Sequence, residues 1–235
     1  MTTAIGSDSR HIEKHLHIIY ISKKGAMQAM ENKLFEMLTY EDIKQRLRVR
    51  LVPQEKADRM KAVSISACGD MAFTYAVELA DLSDKTLSIY ITEEVLTQYG
   101  ITAEQLHEDA MEATVNARPA HVNSMEQILK MLGAISDGGT ALPLYVVNTD
   151  YPNGAVSIFY PGMLRTVARI TRREKYFILP SSVHEVLILP FTDGASADDL
   201  RQMVTTINAT EVSEEEKLSD NVYIYDAVTD KVAVA

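Results

Sequence analysis

Ser181, Ser182, His184 and Glu185 place a hydroxyl nucleophile, an imidazole base and a carboxylate within one short stretch. Acyl-transfer hydrolysis uses such a set: the base takes the hydroxyl proton and the acid orients the imidazole and stabilises its charged form. The spacing argues against a triad made within the stretch itself. Successive residues on a strand face opposite sides, so His184 and Glu185 point apart. Neither serine sits in the Gly-x-Ser-x-Gly turn that lifts a hydroxyl out for attack. The zinc-protease pattern needs a second histidine three residues after the glutamate, where Ile188 stands. A hydrolase built on Ser182 or Ser181 with His184 has to borrow its acid from elsewhere, Asp220 for example. The competing reading, which we favour, is a tight turn in which both hydroxyls satisfy backbone groups and His184 makes an orienting hydrogen bond.

A second chemistry-bearing pattern runs through Lys44-Gln45-Arg46-Leu47-Arg48-Val49-Arg50-Leu51-Val52. Charged and aliphatic residues alternate with period two, so a strand places Arg46, Arg48 and Arg50 on one face and buries the other. That face could hold an anionic ligand or an acidic partner. The plainer expectation is a half-exposed strand whose charged face is solvated and protects an edge. His11 and His15 lie one helical turn apart with His17 nearby, but no carboxylate-histidine pair or second cysteine completes a ligand set, so no metal is assigned. Glu214, Glu215 and Glu216 read as a solvated acidic loop. No phosphate loop or dinucleotide fingerprint occurs among the 10 glycines, and no cofactor is expected.

Composition narrows the class further. The chain has 235 residues, 46% of them hydrophobic and 24% charged, which is ordinary for a globular protein and excludes a disordered or fibrous one. No apolar run approaches the roughly 18 residues of a membrane helix, and the N-terminus lacks the basic-then-apolar order of a secretion signal. The single cysteine, Cys68, cannot form an internal disulfide. A cytoplasmic location without membrane association is the expectation. Net charge is −10, spread unevenly: 12 Lys/Arg against 9 Asp/Glu in residues 1–70, 3 against 11 in 71–140, and 8 against 13 in 141–235. Most of the chain would repel a phosphate backbone, so nucleic acid is disfavoured as a partner.

The elements that must position these groups follow from periodicity. Met27, Met30, Leu34, Phe35 and Leu38 predict an amphipathic helix over about 25–39, continuing through Ile43. Residues 71–80 and 87–95 predict a hairpin. Thr102 caps a helix that runs through Leu106, Ala110 and Ala113 and stops near Arg118-Pro119. Ser124 opens another helix, with Ile128, Leu129 and Leu132 inward, ending at Gly133. Residues 136–140 read as a flexible joint between a 1–135 region (helix, strand, hairpin, two helices) and a 141–235 unit.

In the second unit, strands at 144–148 and 155–160 flank Tyr151-Pro152-Asn153-Gly154, a hairpin signal because Asn and Gly tolerate positive φ. A helix follows Pro161, with Met163, Leu164, Val167 and Ile170 inward. Strands at 176–179 and 186–189 come next, each closed by a proline. Ser196 then caps a helix whose inner face is Leu200, Met203, Val204 and Ile207, with Asn208 ending it in the left-handed conformation, and a last strand covers 222–225. The fold class is α+β, antiparallel sheets covered by helices, with the second unit ordered ββαββαβ. A loose echo of strand, turn and helix links LSIYITEEVLTQYG to VSIFYPGMLRTVARI.

Residues 176–190, YFILPSSVHEVLILP, resemble the signature of a bacterial family, the domain of unknown function numbered fifty-six eighty-eight, found mainly in gut Firmicutes. The likeness extends to Pro143-Leu144-Tyr145-Val146-Val147, Asn153-Gly154-Ala155, Tyr160-Pro161-Gly162-Met163-Leu164, residues 207–212 and residues 218–223. It spans about 40–226, with residues 1–35 departing from it. The resemblance implies no activity.

The expected function is a non-catalytic module that binds another macromolecule, a protein, or regulates it, with self-association left open. The alternatives are the hydrolase using Ser182 or Ser181 with His184, and an anion binder using Arg46, Arg48 and Arg50.

Overall fold

A computed structural model of the chain describes residues 33–82, 85–131, 143–192 and 194–235. The chain divides into two compact units, Met1–Ile43 and Lys44–Ala235. In the first, residues 33–37 are helical and a separate short helix, α1, runs from Tyr40 to Lys44. The continuous helix expected to reach Ile43 is therefore broken at Thr39. The reason is a capping box: the Thr39 amide and hydroxyl donate to Asp42 Oδ2 at 2.8 and 2.6 Å, and Asp42 N donates back to Thr39 Oγ1 at 3.3 Å. These bonds hold the Asp42 carboxyl below its ordinary pKa.

The second unit contains two sheets, antiparallel throughout. The first is built from β1 (Leu47–Pro53), β2 (Ser64–Cys68), β3 (Met71–Leu82) and β4 (Lys85–Tyr90). β3 pairs with β1 along one edge and with β2 and then β4 along the other. The hairpin expected over 71–95 is β3–β4, although its tip at 83–84 lies outside the described residues and its end becomes a helix, α3 (Glu93–Tyr99). Helices α2 (Gln54–Met60) and α4 (Ala103–Ala117) complete this part. Thr102 Oγ1 caps α4 by accepting from Gln105 N at 3.2 Å. The outer edge of β1 is blunted by α4: Val49 N donates to Thr114 Oγ1 at 2.9 Å, and that hydroxyl donates to Ala110 O at 2.6 Å. Leu47, Val49 and Leu51 are buried, each contributing about 2 kcal/mol relative to exposure.

The second sheet runs in the order β10–β9–β7–β8–β6–β5. Its strands are β5 (Ala120–Ser124), β6 (Tyr145–Thr149), β7 (Lys175–Leu179), β8 (Glu185–Pro190), β9 (Tyr223–Asp226) and β10 (Lys231–Val234). Three helices accompany it: α5 (Met125–Met131), α6 (Met163–Thr171) and α7 (Ala197–Glu211). Gln127 and Ser124 cap α5 reciprocally, while its expected end at Gly133 and the joint at 136–140 lie outside the described residues. β5 precedes that joint in the chain and pairs with β6 after it.

The α+β class of antiparallel sheets and helices holds, but the order ββαββαβ does not. Residues 155–160 are not a strand: Gly154–Phe159 forms a 3-10 helix. Asn153 does take the left-handed turn conformation, φ 65°. What prevents the hairpin is that both edges of β6 are already occupied, by β5 and by β8. A side chain at Gly154 would put its Cβ 2.6 Å from His184 O and 2.7 Å from Thr149 N, so only glycine lets the chain turn away there. β10 adds a strand beyond the one expected to be last. The echo between the halves accordingly joins a strand in one copy to a 3-10 helix in the other.

Helix α7 also differs in its inner face. Val204 and Asn208 are buried, whereas Met203 and Ile207 are 46% and 40% exposed. Asn208 lies inside the helix rather than ending it, because its side chain is drawn inward. Nδ2 donates to Ser219 O at 3.0 Å and to Asp220 Oδ1 at 2.8 Å. Val204 packs with Phe177, Leu179 and Val222 on one face of the sheet. On the other face Tyr176 donates to Leu164 O of α6 at 2.9 Å.

Candidate functional site

Pro180 ends β7, and the residues after it are stitched to the backbone of 216–219. Val183 N donates to Glu216 O at 2.8 Å, Leu218 N to Ser181 O at 3.0 Å and Ser219 N to Pro180 O at 3.0 Å. In this frame Ser182 Oγ accepts from His184 N at 3.1 Å, a local turn bond to backbone and not to the imidazole. The His184 ring is itself engaged. Nδ1 accepts from Asn153 N at 3.2 Å, which places the ring proton on Nε2, facing Glu216 Oε1 at 3.4 Å. Glu216 is held below its ordinary pKa by Ser213 first and by His184 second. Glu185 is exposed, in register with Asn148 of β6. Asp220, the acid weighed for a hydrolase, instead pairs with Lys217 at 2.7 Å and accepts from Asn208. Sequence neighbours are thus brought together, but through backbone groups, and the acid nearest the imidazole is Glu216.

Arg48 and Arg50 of β1 share one face, as their spacing predicts, but that face is covered, whereas Arg46 stands exposed in the turn before the strand. Arg48 Nε lies 2.9 Å from Glu78 Oε2, and Arg118 reaches Glu78 Oε1 at 2.5 Å. Burial lowers the Arg48 pKa against the opposing pull of Glu78. Arg118 also stacks over the Tyr151 ring at 4.8 Å. Arg50 is 9% exposed and donates to Ser88 Oγ at 2.8 Å and Tyr90 Oη at 3.2 Å. Arg46 donates to Leu79 O at 3.3 Å. Arg48 and Arg50 are covered because β4, the end of α4 and the 150–160 connection close over them, an outcome of tertiary packing that period-two alternation does not encode.

A polar seam joins the sheets. Asp70, in the β2–β3 turn, accepts from Ser219 Oγ at 2.8 Å and from the Tyr223 hydroxyl, and Ser219 Oγ accepts from Asn221 N at 2.9 Å. Burial raises the Tyr223 pKa to about 12, so the phenol stays a donor. Cys68, next to this turn, is half-buried, and burial raises its thiol pKa, with Asp70 adding to the effect. The hydroxyls, carboxylate and amides in this seam satisfy one another.

Helix α6 builds a different kind of surface. Arg165, Ala168 and Arg169 fall at i, i+3 and i+4, hence on one helical face, and Arg172 is the residue that ends the helix. Together with Gly162, Arg173, Glu174 and Ala227 they line a cavity of about 550 Å³. The lining thus combines three small residues with four arginines. Arg165 is anchored by Asp230 at 2.8 Å, and Asp230 is braced by the Tyr225 hydroxyl at 2.7 Å. Arg169 donates to Thr166 Oγ1 at 3.0 Å, a neutral partner. Among the described residues Arg172 and Arg173 have no side-chain partner. Lys175 follows, paired with Asp226 at 3.0 Å, and borders an adjoining cavity of about 380 Å³ that shares Arg173 and Glu174.

Arg172 also adopts φ 54°, a left-handed conformation in which its amide donates to Arg169 O while Arg173 N donates to Ala168 O. This is the helix-ending position that glycine usually occupies.

The net charge of 141–235 hides this cluster in the sequence, because its 8 Lys/Arg are outnumbered by 13 Asp/Glu. Five of those eight are Arg165, Arg169, Arg172, Arg173 and Lys175. Their legible signal is the density of basic residues, five within 165–175.

His11, His15 and His17 lie outside the described residues. Among the described residues no group of three or more His, Cys, Asp or Glu could hold a metal ion, and no helix is long and apolar enough to cross a membrane.

Compared with known proteins, residues 6–227 match the model of a family of unknown function (DUF5688). No curated protein and no solved structure matches the chain. Because the match begins at residue 6, most of the stretch 1–35, expected to depart from the family, lies within it.

Proposed function

The chain belongs to this family of unknown function, and from that premise we propose that it is a binding module recognising a partner protein with an acidic surface through the arginine face of α6. The observation that carries the reading is that Arg172 and Arg173 line a cavity while lacking a side-chain partner among the described residues. Guanidinium groups present a planar fork of donors suited to carboxylate and phosphate oxygens, and they stay charged at any working pH. The Ser182–His184 turn supports binding over catalysis, because its hydroxyl and ring Nδ1 both accept from backbone amides.

The test is fluorescence anisotropy of a labelled poly-glutamate peptide with the full chain at low and moderate salt. Wild type should bind with an affinity that falls as salt rises. An Arg172→Glu/Arg173→Glu variant should lose about tenfold or more, while Arg46→Gln should match wild type. Equal binding by wild type and the double variant, or no binding by either, would overturn the reading.

A further inference from the structure

Resting on that reading and deepening it, we infer that the α6 cavity takes a phosphate monoester. The charges around the cavity are the first argument. Arg165, Arg169, Arg172 and Arg173 bring four positive charges, and Glu174 and the Asp230 bound to Arg165 bring two negative ones, leaving +2. A single carboxylate would leave half of that excess unmet, whereas a phosphate monoester carries about −1.5 to −2 at pH 7.

The second argument is that local rules are broken here with only partial compensation: Arg165 has Asp230, whereas Arg169 has a neutral hydroxyl and Arg172 no side-chain partner among the described residues. Arg165 and Arg169 are like charges at i, i+4, a spacing at which like charges repel. The helix dipole favours cations only in the last turn, so it accounts for Arg169 and Arg172 but disfavours Arg165 in the first. Arg172 bears left-handed strain at a position where glycine would be free of it. A segment that gathers Arg165, Arg169 and Arg172 against these terms is arranged for something outside itself, and a multiply charged oxyanion reverses the repulsion by accepting from several forks at once.

The third argument is space. Gly162, Ala168 and Ala227 add little bulk to the lining, and about 550 Å³ is more than a phosphoryl group needs, so part of its carrier enters too.

The carrier is either a phosphorylated side chain of the partner or a free small phosphomonoester, and one experiment separates them. Anisotropy is measured on the full chain at about 0.15 M salt with one labelled peptide in phosphoserine, glutamate and serine forms, and glycerol phosphate is used as an unlabelled competitor. The phosphoserine form should bind about tenfold tighter than the glutamate form, and Arg172→Gly and Arg169→Gln should each remove that advantage. Arg172→Gly relieves strain, so its loss of binding cannot be blamed on unfolding. Competition by glycerol phosphate identifies a small-molecule source, and its failure while the phosphopeptide binds identifies a partner side chain. A glutamate form that binds as well as the phosphoserine form sinks the phosphate assignment and leaves the acidic-partner reading standing. A phosphoserine advantage that survives both substitutions also sinks it, and no binding of any form overturns both.

Discussion

Two arginine rows in this chain have opposite fates. Arg48 and Arg50 on β1 are spent internally, Arg48 sharing Glu78 with Arg118 and Arg50 lying against Ser88 and Tyr90, while Arg46, in the turn before the strand, stays exposed and donates to a carbonyl. Arg165 and Arg169 on α6, with Arg172 and Arg173 just after it, line a cavity with one ion pair to a carboxylate between them. The residue type is the same, so the difference comes from what each element packs against. Both faces of β1 are covered, and a covered guanidinium must find a partner or destabilise the fold. Only one stripe of α6 is covered, through Val167 and Thr171, and the arginines lie on the flank that stays open.

The contrast can be broken most forcefully at Glu78. Glu78→Gln would leave Arg48 and Arg118, both nine-tenths buried or nearly so, without their shared charge. We expect a loss of about 3 kcal/mol in a urea titration. A loss under about 1 kcal/mol, the scale of an exposed pair, would mean that the β1 row is solvated after all.

On α6 the sign reverses. Arg172→Gly removes a left-handed side chain whose strain is about 1 kcal/mol and gives up a favourable dipole contact of about 0.5 kcal/mol. The variant should therefore be the more stable by about 0.5 kcal/mol while binding anions more weakly. A destabilised variant would show that Arg172 is structural.

The smallest effect is one of pH. Asp230 is held below its ordinary pKa by Arg165 first and by Tyr225. A carboxyl whose folded pKa is depressed contributes stability above its unfolded value, about 3.9, and loses it as pH falls through the folded value. Asp230→Asn should flatten the stability curve below about pH 4 and leave it unchanged near neutrality in slope. An identical acid limb in both proteins would remove Asp230 as the anchor of the cavity wall.

Local chemistry was sufficient for much of this. The Thr102, Ser124 and Ser196 caps, the paired strands around Pro180 and the left-handed Asn153 are all decided within a few residues of themselves, where side-chain to backbone bonds act. Competition between distant segments decided the rest. Residues 155–160 have the composition of a strand, but β5 and β8 hold both edges of β6, so that segment coils instead. Asn208 looked like a helix end until Ser219 and Asp220 drew its amide inward. Arginine spacing alone predicted that Arg46, Arg48 and Arg50 share a face, but whether a charged face meets water, a carboxylate or a cavity depends on which elements close over it. That is settled only when the whole chain has folded, because burial belongs to the assembled packing and not to any single strand or helix.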